Sequence, residues 1–164
     1  LAVAAVAVLA VAAFSGLPPV AEASIQSTCQ AAAHDKRVDV PFCVSQFTAY
    51  HGAAEADAWG LAKTAALVGV NLSDDATFDL ANGKVTPPPA KAAAAACTAA
   101  YDAVGLAFAE AADELGARRY AAASGKMAGV AAIARRCDVP ALAKYSADCE
   151  KMAVIGIAIT SLIK

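Results

Sequence analysis

The chain has 164 residues, of which 59% are hydrophobic and 48 are alanine. Thirteen Lys and Arg residues against fifteen Asp and Glu residues give a net charge of −2, and this balance excludes a general electrostatic surface for nucleic acid. Alanine favours helices and is depleted from strands, so the composition predicts one all-α domain and excludes all-β and α/β folds.

Residues 1–23 have the features of a secretory signal peptide. Residues 1–14 carry no polar side chain, and Ala21 and Ala23 place small residues where a cleavage site needs them. As a helix this run spans about 21 Å, short of the roughly 30 Å hydrocarbon core of a bilayer. No Met or basic segment precedes the run, so we expect the sequence to start inside a leader that is cleaved before Ser24. A membrane anchor or a segment kept in the fold is the alternative.

Secretion to the extracellular space, with the vacuole as another destination, makes disulfides the default state of the cysteines. Residues 24–50 are predicted to form a helical hairpin that turns in the polar stretch 34–39, with Pro41 at the start of its second helix. An antiparallel hairpin brings together residues equidistant from its turn, and Lys36 lies midway between Cys29 and Cys43. The symmetry favours a bridge between these two cysteines.

Four longer helices are predicted after the hairpin, beginning near residues 56, 90, 119 and 140. The first ends at Asn82 and Gly83, before the prolines at 87–89, and Gly116 is a candidate C-terminal cap for the second. Short links make neighbouring helices antiparallel. The predicted architecture is an up-down-up-down four-helix bundle with an N-terminal helical hairpin extension.

A second bridge is favoured between Cys97 and Cys137. Ala117, in the turn between the second and third bundle helices, lies midway between them, and each cysteine belongs to an apolar stripe with three-four spacing. In the chain-entropy model a bridge that closes about 40 residues contributes roughly 4 kcal/mol, and one that closes about 15 contributes roughly 3 kcal/mol. We therefore expect two disulfides to staple the fold.

Cys149 lies on the apolar seam of the last helix, together with Leu142 and Met152. Lys144, Asp148 and Lys151 are predicted to lie on the opposite face. A thiol on such a seam is expected to be a buried free cysteine that behaves as a small hydrophobe, with a reactive or intermolecular thiol as the alternative.

Residues 71–73 form an Asn-Leu-Ser sequon, which predicts glycosylation of Asn71 in a secreted chain, although such a match also arises by chance.

The residue types that catalysis needs are scarce. His34 and His51 are the only histidines, and neither belongs to a zinc-binding spacing. Asp74, Asp75 and Asp79 lie near a helix end, where solvated carboxylates are more common than a metal site. We therefore predict no catalytic residues, no metal and no cofactor, and a protein that acts by binding.

The sequence resembles the plant invertase and pectin methylesterase inhibitor family over the whole mature region, and within it the invertase-inhibitor subgroup that includes pollen allergens. Residues 25–29 (IQSTC) and 41–44 (PFCV) carry the resemblance. Weaker matches are residues 60–62 (GLA), Cys97, Tyr101, Tyr120, Met127, Cys137 and residues 156–162 (GIAITSL). The resemblance implies a stapled four-helix bundle with a fifth, unpaired cysteine, secreted to the cell wall, that occludes the active-site cleft of an invertase or a pectin methylesterase.

In invertase inhibitors of this family a Pro-Lys-Phe motif lies at the turn between the second and third bundle helices and inserts into the target. The matching positions are Arg118, Arg119 and Tyr120, which keep a basic residue and an aromatic but lack the proline. They are therefore the candidate target-binding residues. The alternative is that the arginines only begin a helix and that Tyr120 belongs to the core.

Two other functions stay open. An alanine-rich bundle can leave room between its helices for a small apolar ligand, so a non-catalytic carrier or an allergen-like binding bundle is the main alternative. An enzyme is the least favoured function because the chain has only two histidines. The expected partner is thus a target enzyme, with no nucleic acid and no membrane after signal cleavage.

Overall fold

The computed structural model describes the backbone of residues 20–164 and the side chains of residues 24–164. The signal peptide predicted at residues 1–23 lies outside this fully described part. All regular elements of the described residues are helical, which confirms the predicted all-α class.

Two short helices form the N-terminal hairpin, α1 (Val20–Ala32) and α2 (Val40–Ala49). The chain can start α2 abruptly because Asp39 caps it: one carboxylate oxygen accepts a 3.0 Å hydrogen bond from the backbone N–H of Phe42. Pro41 occupies the first turn, where its missing N–H costs nothing.

The bundle follows in up-down-up-down order, which confirms the predicted architecture. Its helices are α3 (Ala58–Ala81), α4 (Lys91–Gly116), α5 (Tyr120–Ala128) with α6 (Val130–Ala134), and α7 (Ala143–Thr160). Short 3₁₀ turns precede α3 at Ala53–Glu55 and α7 at Pro140–Leu142. The third bundle helix was expected to be continuous, but it is interrupted at Gly129, whose N–H bonds to the carbonyl of Lys126, three residues back.

Two disulfides staple these elements, as expected. Cys29 is bonded to Cys43 across the hairpin, with Cα atoms 5.9 Å apart, and Cys97 to Cys137 across the second and third bundle helices, with Cα atoms 4.3 Å apart. These are the pairs that hairpin symmetry favours. Cys149 is fully buried and is the free cysteine of the described residues.

The core depends on small residues where helices approach closely. A Cβ atom placed on Gly69 of α3 would lie 2.5 Å from the ring of Phe108 on α4, and one placed on Gly156 of α7 would lie 2.5 Å from the sulfur of Met127 on α5. Both glycines therefore let a large neighbour fill the space beside the backbone. The small residues at these two positions produce dense packing rather than a cavity.

The prediction that Asp148 lies on a polar face of α7, opposite the apolar seam, is wrong, because this residue is only 8% exposed. Its carboxylate pairs with the exposed ammonium of Lys144, with N and O 2.5 Å apart. α7 contacts α1 as well as α3, α5 and α6, so it is covered on more sides than its apolar seam alone indicates.

Asp79 also departs from the expectation of a solvated carboxylate, whereas Asp74 and Asp75 are exposed as expected. Its Oδ2 accepts a 2.6 Å hydrogen bond from the hydroxyl of Tyr145, and its Oδ1 lies 3.6 Å from the ammonium of Lys84. The hydrogen bond to the carboxylate, assisted by burial, raises the pKa of Tyr145 to about 12. Asp79 thus fixes α7 against the end of α3.

By length and composition alone, α4 could cross a bilayer. In this fold one of its faces is buried against the other bundle helices, including the side chains of Tyr101, Val104 and Phe108. That no membrane is a partner stays a prediction.

Candidate functional site

The turn that links α4 to α5 is made by an unusual backbone at Arg118. This residue has a φ of +58°, in the left-handed region that side chains other than glycine rarely adopt. Its N–H bonds to the carbonyl of Leu115, and the N–H of Arg119 bonds to the carbonyl of Glu114, which together close the end of α4. Gly116, the expected cap, is instead the last helical residue. The left-handed position falls two residues later because α4 continues through the glycine.

Trp59, in the first turn of α3, anchors this turn from the neighbouring helix. Its indole N–H donates a 2.8 Å hydrogen bond to the backbone carbonyl of Leu115. This carbonyl also accepts from the N–H of Arg118, and the indole adds a second donor from outside the helix to the last turn of α4. Because the bond joins residues 56 positions apart, it fixes the position of the turn relative to α3.

Two cations lie over the same indole. The guanidinium carbon of Arg118 is 5.4 Å from the ring centroid of Trp59, and the ammonium of Lys63 is 5.8 Å from it. Both distances are within the range of a cation–π attraction. Neither cation has a carboxylate partner among the described residues, although Asp57 and Asp113 at the same end of the bundle also lack an ion pair there.

The two neighbouring arginines have different roles. The guanidinium of Arg119 forms an ion pair with Glu114. This hydrogen bond lowers the pKa of Glu114 and raises that of Arg119. Arg119 is thus neutralised and ties the first turn of α5 to the last turn of α4, while Arg118 keeps its charge available.

Tyr120 is both a core residue and part of the turn surface, which the sequence analysis gave as alternatives. It is half-buried and packs against the main core. Its hydroxyl accepts a hydrogen bond from the guanidinium of Arg118 at 3.4 Å. Arg118, which is exposed, and the partly exposed Tyr120 therefore share one surface with Trp59 and Lys63, which are also partly exposed, and we call these four residues the Trp59 cluster.

The remaining sequence candidates do not join this cluster. His51 is exposed, and His34 is exposed with its Nε2 atom 3.2 Å from the hydroxyl of Ser161. Within residues 24–164, no three His, Cys, Asp or Glu side chains are placed to hold a metal ion. What this surface can do chemically is attract and orient an anionic group, without covalent chemistry.

Sequence reasoning missed Trp59 and Lys63. The sequence did contain a signal for Trp59: Pro87, in the link between α3 and α4, lies midway between Trp59 and Leu115. The symmetry that pairs the cysteines, applied to the hairpin of α3 and α4, places the single tryptophan beside the end of α4.

No protein-family model matches the sequence. The chain is 41% identical over 155 residues to pectinesterase inhibitor 8 of Oryza sativa subsp. japonica, which covers 87% of this chain and 84% of that protein. It is 38% identical over 155 residues to pectinesterase inhibitor 12 of the same organism, which covers 87% of this chain and 75% of that protein. The chain belongs to the invertase and pectin methylesterase inhibitor family.

Membership confirms the family that the sequence resembles, and since its relatives are named as inhibitors, the prediction that the chain is not an enzyme is confirmed as well. The role of Arg118, Arg119 and Tyr120 in this inhibitor-family chain stays a prediction.

Proposed function

We propose that this protein is a secreted inhibitor that blocks a pectin methylesterase by occluding its active-site cleft. The observation that carries the proposal is the 41% identity with a protein named pectinesterase inhibitor over most of both chains. Two disulfides support secretion, because such bonds persist in oxidising compartments. The cell wall is the corresponding site of action.

The Trp59 cluster is the proposed contact with the target. Arg118 is exposed and unpaired among the described residues, while Trp59 and Tyr120 limit the positions that its guanidinium can take. A contact group held before binding loses less conformational entropy when the complex forms. Arginine beside aromatic side chains is also the composition typical of interface hot spots.

An acid invertase is the second candidate target, favoured by the exposed guanidinium of Arg118, which has no ion pair among the described residues. Glycosidases use a pair of carboxylates at the scissile bond. A guanidinium can bind a carboxylate through two parallel hydrogen bonds, so the unpaired charge of Arg118 suits such a cleft. The identities with pectinesterase inhibitors support the first candidate over this one.

The carrier function is less well supported by the packing. A carrier needs open space beside its small residues, whereas the ring of Phe108 fills the space beside Gly69 and the sulfur of Met127 fills that beside Gly156.

The test is a parallel titration of the purified protein against a plant pectin methylesterase and an acid invertase. We expect stoichiometric inhibition of the pectin methylesterase, and weaker inhibition or none of the invertase. Arg136 serves as the control position, since it is exposed and unpaired among the described residues and lies at the opposite end of the bundle. Arg136→Ser should inhibit like the unmodified protein. Inhibition of the invertase alone would show that the invertase, and not the pectin methylesterase, is the target. No effect on either enzyme would contradict the proposed inhibitory function.

A further inference from the structure

A hollow of about 180 Å³ lies between the end of α2 and the middle of α3, outside the Trp59 cluster. Asn71, the acceptor residue of the sequon, lies at its edge. The other lining residues are Gln46, Ala49, Tyr50, Val68, Leu72 and Asp75.

The two ends of the sequon differ in accessibility. Asn71 is exposed, whereas Ser73 is only 1% exposed and its hydroxyl donates a 2.7 Å hydrogen bond to the backbone carbonyl of Val70. An enzyme that must recognise both residues can read this sequon only before α3 packs into the bundle. Modification would therefore have to occur during synthesis, while a secreted chain is still unfolded.

We propose that Asn71 carries an N-linked glycan whose first N-acetylglucosamine occupies this hollow and clamps α2 onto α3. In the transfer, the side-chain amide nitrogen of Asn71 bonds to C1 of the sugar of a lipid diphosphate-linked oligosaccharide. The bond between C1 and the phosphate oxygen breaks, the amide loses one proton, and the lipid diphosphate leaves.

The lining suits a sugar that is tethered at this edge. Tyr50 is half-buried and offers an aromatic ring, and Val68 and Leu72 extend the apolar wall. The amide of Gln46 and the carboxylate of Asp75 supply hydrogen-bonding groups for the hydroxyls and the acetamido group. An apolar surface with a few polar groups is the usual composition of a small-molecule site.

The sugar would add hydrogen bonds to the contact between α2 and α3. Among the described residues, no side-chain hydrogen bond joins α2 to α3, and Phe47 of α2 and Val68 of α3 belong to the same apolar core. A sugar fixed to α3 and packed against Tyr50 would add both apolar contact and hydrogen bonds across this gap.

The glycan would leave the proposed target contact free. Asn71 lies twelve residues after Trp59 on α3, which is about 18 Å along the helix at 1.5 Å per residue. The inference therefore does not depend on which enzyme the protein inhibits.

The experiment uses the full chain secreted from a eukaryotic host that adds high-mannose glycans. One sample is treated with an endoglycosidase that leaves a single N-acetylglucosamine on Asn71. The sugar-free sample is the Asn71→Gln variant secreted from the same host, because an amidase would convert Asn71 to Asp, four residues before Asp75. We expect the single-sugar form to keep the Tm of the intact glycoprotein. The sugar-free form should melt about 2 to 4 °C lower, with several-fold faster hydrogen exchange across α2.

A double-mutant cycle supplies the control. Tyr50→Leu keeps apolar bulk but removes the ring, so removal of the sugar from the Tyr50→Leu variant should lower the Tm by clearly less than in the unmodified protein. The proposal is overturned if the secreted chain carries no glycan by mass, if removal of the last sugar leaves Tm and exchange unchanged, or if the two changes are additive. Unaltered inhibition of the target enzyme by the sugar-free form is expected and separates this inference from the proposed function.

Discussion

The indole N–H of Trp59 donates a 2.8 Å hydrogen bond to the backbone carbonyl of Leu115, 56 residues away, and the guanidinium of Arg118 lies over the same ring. One side chain thus adds a second donor to the Leu115 carbonyl, which also accepts from the N–H of Arg118, and supports the residue proposed to contact the target. The two roles can be separated by substitution.

Trp59→Phe keeps an aromatic face under Arg118 but removes the indole donor. We expect a loss of about 0.5 to 1.5 kcal/mol in the free energy of unfolding, the usual net value of one hydrogen bond. Denaturant titration measures it. Phe78 lies on the same helix but is 54% exposed, and its ring lies under the ammonium of Lys84. Phe78→Tyr keeps that ring and should change stability by less than about 0.5 kcal/mol. Equal losses in both variants would contradict the anchoring role of Trp59.

Gly69→Ala tests the close approach of α3 and α4. The added methyl would overlap the ring of Phe108, which is rigid and fully buried, so we expect a loss of about 1 to 3 kcal/mol in unfolding free energy. Gly125 lies in α5, and a methyl group added there would meet no atom within 4 Å. Gly125→Ala should therefore stabilise the protein by about 0.5 to 1 kcal/mol. Urea denaturation of both variants gives the comparison, and a neutral result at Gly69 would contradict the packing described.

Asp39 links the hairpin to α7 in a pH-dependent way. Its carboxylate pairs with the ammonium of Lys151 at 2.9 Å and caps α2. The hydrogen bond from Lys151, followed by that from the N–H of Phe42, lowers the pKa of Asp39. A lowered pKa stabilises the fold above the unfolded value of about 3.9, and this contribution is lost as the pH falls through the lower folded value.

We therefore expect Asp39→Asn, which keeps a capping side chain, to lower the Tm at pH 6 and to match the unmodified protein at about pH 2. Asp57 caps α3 but has no ion pair among the described residues, so Asp57→Asn is the matched control and should change the Tm little at either pH. A constant difference between Asp39→Asn and the unmodified protein from pH 2 to pH 6 would be incompatible with the ion pair.

Cys149 is expected to be chemically inert in the folded protein. Burial, assisted by the nearby charge of Asp148, raises the pKa of its thiol to about 12. Because the thiolate is the reactive form, we expect a thiol reagent at pH 8 to label the native protein at least about a hundredfold more slowly than the chain unfolded in urea. Comparable rates would support the alternative of a reactive thiol.

Much of this fold could be predicted because an antiparallel hairpin brings together residues that are equally far from its turn along the chain. Lys36 and Ala117 lie midway between the bonded cysteines, so the two bridges follow from local turns. Asp148 could not be placed in the same way. The periodicity of α7 shows one apolar seam, but whether the hairpin covers a further flank depends on long-range packing.

The candidate site was only partly predictable for a related reason. Arg118 and Tyr120 are close in sequence, and their turn was identified from the chain alone. Their support by Trp59 depends on the register of α3 against α4, which the position of Pro87 midway between Trp59 and Leu115 indicates but which the sequence analysis did not use. The left-handed backbone of Arg118 was also hidden, since the neighbouring Gly116 is the residue that sequence rules favour for that conformation.

Arg118→Gly most directly tests the claim that this turn contacts the target. Glycine suits a φ of +58°, so the variant should be as stable as the unmodified protein or more stable by up to about 1 kcal/mol, while it lacks the guanidinium. The decisive measurement is its inhibition constant against pectin methylesterase, with Tm recorded on the same sample. We predict an inhibition constant raised about tenfold or more, as for a hot-spot residue, with an unchanged or higher Tm. An unchanged inhibition constant in a stable variant would contradict the account.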